Sequence, residues 1–324
     1  MGTVAIEASH LRKVYGTFTA LDDLSFQVMH GEIFGLLGPN GAGKSTTLRI
    51  LITLLHATSG RATVLGYDVA RDADQIRRRI GYVPQERAID RFLTGREHLL
   101  LLADLYHLPK DEAARRIDEL LKLVDLEAKA DELAKTYSGG MKRKLDIACG
   151  LLPNPNIIFL DEPTLGLDIQ SRLRIWDYVR QLKARGITIV MTTNYLDEAD
   201  QLCDRLAIID RGRIKAMGSP SELKTGLGGD IISLTVGAAD TSRLDALAAA
   251  VRGLPMVRAV TPKSTGVDIR VESSEKALPA VLETANRAGF RLELVDYHRP
   301  RLDDVFIAHT GRVIREEFPQ EEGE

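Results

Sequence analysis

Two short stretches hold the residue types that phosphate chemistry needs. GPNGAGKST, residues 38–46, fits the spacing GxxxxGK(S/T). Its glycines Gly38, Gly41 and Gly43, interleaved with Pro39, Asn40 and Ala42, let the chain curl so that successive N–H groups point at phosphate oxygens. Lys44 would reach the β- and γ-phosphates, Ser45 would bind Mg2+, and Thr46 leads into a helix whose N-terminal dipole favours an anion. The second stretch, NIIFLDEPT at residues 156–164, is an apolar run ending in two acids. Asp161 suits a carboxylate that holds Mg2+ through its water shell, and Glu162 suits a general base that polarises an attacking water. The competing readings are a glycine-rich structural turn and a pair of helix-capping acids. The apolar run before the loop, the helix-like TLRILITLL after it and the proline after the acids favour the chemistry. Together the two stretches predict a nucleoside triphosphate site.

Such residues need rigid elements to hold them. EIFGLLG, IIFLDEP and ITIVMTT are continuous apolar runs, as expected of strands buried on both faces of a sheet. Each is followed by a polar loop and a helical pattern, the grammar of an α/β fold over residues 1–225. Between about 86 and 150 the pattern becomes all-helical, with REHLLLLADLYHL and EAARRIDELLKLVDL and no strand between them. TGLGGD then supplies a junction near Gly226. Residues 230–312 follow the order β-α-β-β-α-β, a small α+β module of ferredoxin-like type, ending in the short helix LDDVFIAHT. The acidic composition of residues 313–324 suggests a disordered tail.

Composition sets outer bounds. Hydrophobic residues make up 44% of 324 and charged residues 27%, the mixture of a globular protein with a sizeable core. A net charge of -3 offers no basic field for nucleic acid or an anionic membrane. No apolar run approaches the roughly 18 residues of a membrane span, so action on a membrane would require another chain. The N-terminus shows no secretory signal, and Cys149 and Cys203 read as reduced, packed thiols. The seven histidines lack metal-ligand spacing. IRRRI, residues 76–80, reads as the solvated face of an amphipathic turn, and Lys142, Arg143 and Lys144 read as helix surface or as cations near phosphate.

YSGGMKRKLD, residues 137–146, resembles the signature of ATP-binding cassette ATPases, and it precedes LDEP at that family's interval. Tyr15 in KVYG, Gln85 in GYVPQE and LGLD at residues 165–168 agree with it. FLTGREHL and PRLDDVFIAHTGR are similar to the daunorubicin/doxorubicin-resistance type, whose members are ATPase subunits of drug exporters with separate permease chains. The resemblance implies a P-loop NTPase cassette with a RecA-like core, an antiparallel β part and a helical subdomain. It implies a homodimer of cassettes trapping two ATP, a permease docked on the helical insertion, and a place on the cytoplasmic face of the cell membrane. Ser138, Gly139 and Gly140 would then donate to the γ-phosphate held by the opposite subunit, Tyr15 would stack on adenine, Gln85 would touch Mg2+ or the water, and Asp168 would lie at the dimer interface. Tyr137 stands where leucine is more usual, a change expected to affect packing.

MTTNYLDEAD, residues 191–200, departs further. The family usually places a histidine that contacts the γ-phosphate where this chain has Asn194. An amide still donates a hydrogen bond but carries neither charge nor proton. The leading expectation is therefore an ATP-hydrolysing exporter subunit in which turnover depends on Glu162. The alternative is a weakly hydrolysing, ATP-switched cassette outside transport.

Overall fold

The computed structural model describes residues 3–86 and 88–313. Strand β1 (Val4–Tyr15) pairs antiparallel with β2 (Phe18–Met29) in a long hairpin, and β3 (Ile33–Leu37) then leaves for a second sheet. After α1 (Lys44–Leu51), β4 (Ser59–Val64) and β5 (Tyr67–Asp68) return to extend the hairpin, giving the order β2-β1-β4-β5. The short α2 (Ala73–Arg77) precedes β6 (Ile80–Val83). IRRRI is thus not one helical turn. Ile76 lies in the last turn of a helix that ends at Arg77 and Ile80 opens a strand, both buried, because each faces the core while the arginines between them turn outward.

The second sheet positions the chemistry. Its further strands are β7 (Ile157–Asp161), β8 (Thr188–Thr193), β9 (Arg205–Asp210) and β10 (Arg213–Gly218), in the order β10-β9-β3-β8-β7-β6. All neighbours from β6 to β9 are parallel, and β10 closes the edge antiparallel. Every residue of β3, β7 and β8 is buried, which is why the sequence shows unbroken apolar runs there instead of alternation. The loops that leave the C-terminal ends of these strands are where a parallel sheet carries its ligands. The helical insertion contains α3 (Gly95–Leu105), α4 (Lys110–Leu123) and α5 (Gly139–Leu151), and α6 (Ile169–Ala184) and α7 (Leu196–Leu202) connect the later strands.

Backbone contacts divide the chain into two compact units, the second spanning Ser221–Gly311. Helix α8 (Pro220–Leu227) runs through Gly226, so the break falls before the glycine-rich stretch, and the turn of positive φ comes at Gly228 and Gly229. The second unit contains β11 (Asp230–Val236), α9 (Leu244–Arg252), β12 (Val257–Pro262), β13 (Gly266–Val271), α10 (Ser274–Arg287) and β14 (Leu292–His298). Its sheet is antiparallel throughout in the order β12-β13-β11-β14, the ferredoxin-like arrangement, and α9 and α10 bury their apolar stripes against Ile232, Leu234, Val267 and Ile269. Helix α11 (Leu302–Thr310) completes it. The acidic tail lies outside the described residues except for Val313. Among the described residues no helix is long and apolar enough to cross a membrane.

Candidate functional site

The phosphate loop joins β3 to α1. Gly43 sits at φ +108°, and a Cβ there would lie 2.6 Å from Leu21 Cδ2 and 2.9 Å from the Ala20 carbonyl oxygen, so only glycine fits. No side chain caps α1, which leaves its first N–H groups for an anion. Thr193, the last residue of β8, accepts a hydrogen bond from Gly38 N–H through its carbonyl oxygen at 3.3 Å and so fixes the start of the loop. Lys44 is buried. Its Nζ donates to the Gly38 carbonyl oxygen at 2.7 Å and lies 3.1 Å from Glu162 Oε1.

Asp161 and Glu162 leave β7 on opposite errands. Asp161 Oδ1 accepts from Ser45 Oγ at 3.1 Å and from Thr192 Oγ1 at 2.5 Å. Glu162 lies just past the strand with φ +46°, a left-handed backbone that costs a non-glycine residue of order 1 kcal/mol or more. Its N–H donates to Thr192 Oγ1 at 2.9 Å, and its Oε2 accepts from Gln85 Nε2 at 3.2 Å. Thr192 therefore locks both acids, a role that the sequence reading missed. Its signal was a hydroxyl pair, Thr192–Thr193, at the end of a buried strand.

One cleft of about 300 Å3 is lined by Tyr15, Phe18, Ala20, Gln85, Glu162 and the loop residues Asn40–Thr46. Tyr15 and Phe18 face each other across the β1–β2 hairpin, both exposed. Phe18, a second aromatic beside the expected Tyr15, was missed by the sequence reading; the turn residues Gly16 and Thr17 separate the two. The donor set fits a triphosphate with a hard cation: cationic Lys44, open amides, and the Ser45 hydroxyl against the Asp161 carboxylate. Asn194 immediately follows β8 and is buried, with its Oδ1 lacking a hydrogen-bond partner. It does not line the cleft, and its unpartnered atom is an acceptor, which would pair with a donor and not with a phosphate oxygen.

The remaining expected residues lie elsewhere on the same unit. Ser138 caps α5, its Oγ accepting from Met141 N–H at 3.2 Å, and Gly139 and Gly140 form the first turn. A Cβ on Gly140 would lie 2.5 Å from Ser171 Oγ, so this glycine is also demanded by the close approach of α6. Asp168 caps α6 through Ser171, its Oδ1 accepting from the N–H at 2.9 Å and its Oδ2 from Oγ at 2.7 Å. Those bonds hold its carboxyl below the usual range. Tyr137 is buried, and its hydroxyl donates to the Lys129 carbonyl oxygen at 2.5 Å inside the helical insertion.

Of the three cations after the signature, Lys142 is half-exposed and the other two are not helix surface. Arg143 and Lys144 are buried, and Arg143 donates to four main-chain carbonyl oxygens at the ends of β6 and β7. The signal was spacing: Arg143 falls four residues after Gly139 and four before Ile147, on the inward stripe of α5. Glu198 on α7 is likewise buried, accepting from Thr164 Oγ1 at 2.8 Å and Trp176 Nε1 at 3.0 Å, and burial pushes its carboxyl above the ordinary value. Burial also raises both thiols, that of Cys149 to about 12.

Comparison with known proteins agrees with this geometry. Residues 21–165 match the family described as ABC transporter, and residues 218–310 match the ATP-binding protein DrrA1-3-like C-terminal domain. The chain is 43% identical to the daunorubicin resistance ATP-binding protein DrrA3 of Streptomyces coeruleorubidus, covering 96% of this chain and 97% of that one. It is 38% identical to the linearmycin resistance ATP-binding protein LnrL of Bacillus subtilis, covering 96% of this chain and 100% of that one. Among solved structures, a dimeric ATP-binding cassette in a post-hydrolysis state, bound to ADP and Pi, superposes with TM-score 0.60 at 28% identity over 66% of this chain and 98% of that one.

Proposed function

The chain belongs to the ATP-binding cassette family, in its daunorubicin/doxorubicin-resistance branch, and from that premise we propose that it is the ATP-hydrolysing subunit of a membrane exporter working through a separate permease. The observation that carries the reading is the convergence of Lys44, Ser45, Gln85, Asp161 and Glu162 at one cleft beside exposed Tyr15 and Phe18. The aromatic pair receives adenine, Lys44 and the loop amides hold the phosphates, and Ser45 with Asp161 would hold Mg2+, with Gln85 beside it. Mg2+ would neutralise charge on the β- and γ-oxygens. Glu162 accepts the proton of the attacking water, and Asn194 donates its amide to the γ-phosphate.

Ser138, Gly139, Gly140 and Asp168 do not line that cleft. This supports a homodimer in which each copy presents its signature to ATP held by the other, and the solved dimeric cassette offers the precedent. Phe92, Leu101 and Leu105 expose large apolar side chains on the helical insertion. Such a surface on an otherwise charged protein supports docking of an integral-membrane permease, and hence a peripheral place on the cytoplasmic face of the membrane. The net charge of -3 supports no nucleic-acid partner.

Replacement Glu162→Gln tests the reading. ATP binding should persist while turnover falls by about two to four orders of magnitude, the usual worth of a positioned base, and the ATP-bound dimer should accumulate. Steady-state ATPase at the parent rate would remove Glu162 from that role.

A further inference from the structure

Strand β6 pairs with β7 as far as Val83 and Leu160, and β7 pairs with β8 as far as Asp161 and Thr192. Beyond those points the strands run out of sheet partners, yet these are the ends that carry Gln85 and Glu162. The main-chain carbonyl groups there are gathered by one side chain. Arg143 Nη1 donates to the Pro84 oxygen at 2.6 Å, Nη2 to the Asp161 oxygen at 2.9 Å and the Glu162 oxygen at 3.1 Å, and Nε to the Pro163 oxygen at 2.8 Å. Its exposure is only 3%.

We propose that Arg143 is a positioning residue for hydrolysis: its guanidinium ties the β6 and β7 ends together, sets the Gln85–Glu162 pair, and links both to the helix that opens on Ser138. The left-handed Glu162 is held at its N–H by Thr192 and at its carbonyl oxygen by Arg143 at 3.1 Å and by Leu165 N–H at 3.2 Å, and of these only Arg143 also reaches the Pro84 and Asp161 oxygens. Without Arg143 the Leu165 bond still holds the Glu162 oxygen, but the end of β7 loses its tie to Pro84, so Gln85 and the Glu162 carboxylate can shift off the line of attack. Displacements of about 1 Å cost a reacting group up to a hundredfold in rate. Arginine is required because its planar fork donates in several fixed directions, whereas an ammonium is a point donor. Arg143 also shares a face of α5 with Gly139, one turn earlier, so any shift of the first turn carries the guanidinium with it.

The proposal rests on Glu162 being the base, and a double-mutant cycle in the full-length chain separates the two claims. Fluorescent-ATP binding and ATPase rates are measured for Arg143→Met, Arg143→Lys, Glu162→Gln and the Arg143→Met/Glu162→Gln pair. Arg143→Met should lower kcat about tenfold or more with the ATP Kd nearly unchanged, and Arg143→Lys should fall between it and the parent. On the Glu162→Gln background, Arg143→Met should change the residual single-turnover rate little, since the group it positions is already gone. A parental kcat in Arg143→Met, or an equal further loss on the Glu162→Gln background, overturns the positioning role. Should Arg143→Met fail to bind ATP, Arg143→Lys decides: a parental kcat overturns the proposal, and a several-fold loss at unchanged Kd upholds it. Undiminished turnover in Glu162→Gln alone would instead refute Glu162 as the base.

Discussion

At the scale of single residues, this site is built from buried groups whose partners are other site residues. Thr192 illustrates it, donating its hydroxyl to Asp161 and accepting the N–H of Glu162, so that the two acids keep a fixed spacing. Lys44 on Glu162 Oε1 is a buried ion pair, and the proposed phosphate contact would require the lysine to exchange one anion for another. Asn194 leaves its Oδ1 unsatisfied, as Glu198 does its Oε2, so any contact with a phosphate would fall to the amide N–H. If its amide grips the γ-phosphate, Asn194→Ala removes a hydrogen bond to a charged group worth roughly 1.5–3 kcal/mol, and turnover should slow by about one to two orders of magnitude. An ATPase rate equal to the parent would show that no such contact exists.

At the scale of elements, loops around the site are locked to one another by buried polar bonds. Glu198 is the clearest case, since α7 carries it, the loop after Glu162 supplies Thr164, and α6 supplies Trp176. Burial raises its carboxyl, opposed by hydrogen bonds from Thr193, Thr164 and Trp176 and by the charge of Arg172. For an acid whose folded value lies above the unfolded one, the native state holds its proton longer. The contribution of Glu198 to stability is therefore fullest below the ordinary value of 4.5 and is lost as pH climbs from there through the raised value. Glu198→Gln keeps the shape without the titration, so its denaturation midpoint should vary less with pH across that window than the parent's. Parallel pH profiles for the two proteins would exclude Glu198 as the source of the slope.

At the scale of the molecule, the two compact units divide the labour unevenly. All residues proposed to handle nucleotide belong to the first, and the ferredoxin-like unit contributes none. Truncation after Pro220 should therefore leave ATP affinity within about threefold of the parent, because the cleft keeps every lining residue. If the second unit strengthens the cassette dimer, light scattering of the truncated protein should show a shift toward monomer. Unchanged dimerisation would assign that unit another role, and lost ATP binding would show that the first unit depends on it. Much of this plan was legible beforehand, because motifs such as 38–46 and 156–164 are contiguous and their chemistry follows from residue type and spacing. Unbroken apolar runs identified β3, β7 and β8, and the β-α-β-β-α-β order identified the second fold. The sequence alone thus determined the reaction class and singled out the phosphate loop and the acid pair as candidates, and the family resemblance singled out Asn194. Only the tertiary structure decided that Arg143 is an anchor instead of surface, that Thr192 bridges the acids, and that Gly140 must be small to admit Ser171. Those three facts depend on groups tens of residues apart meeting in space, and local sequence carries no record of which carbonyls a sheet will leave unpaired.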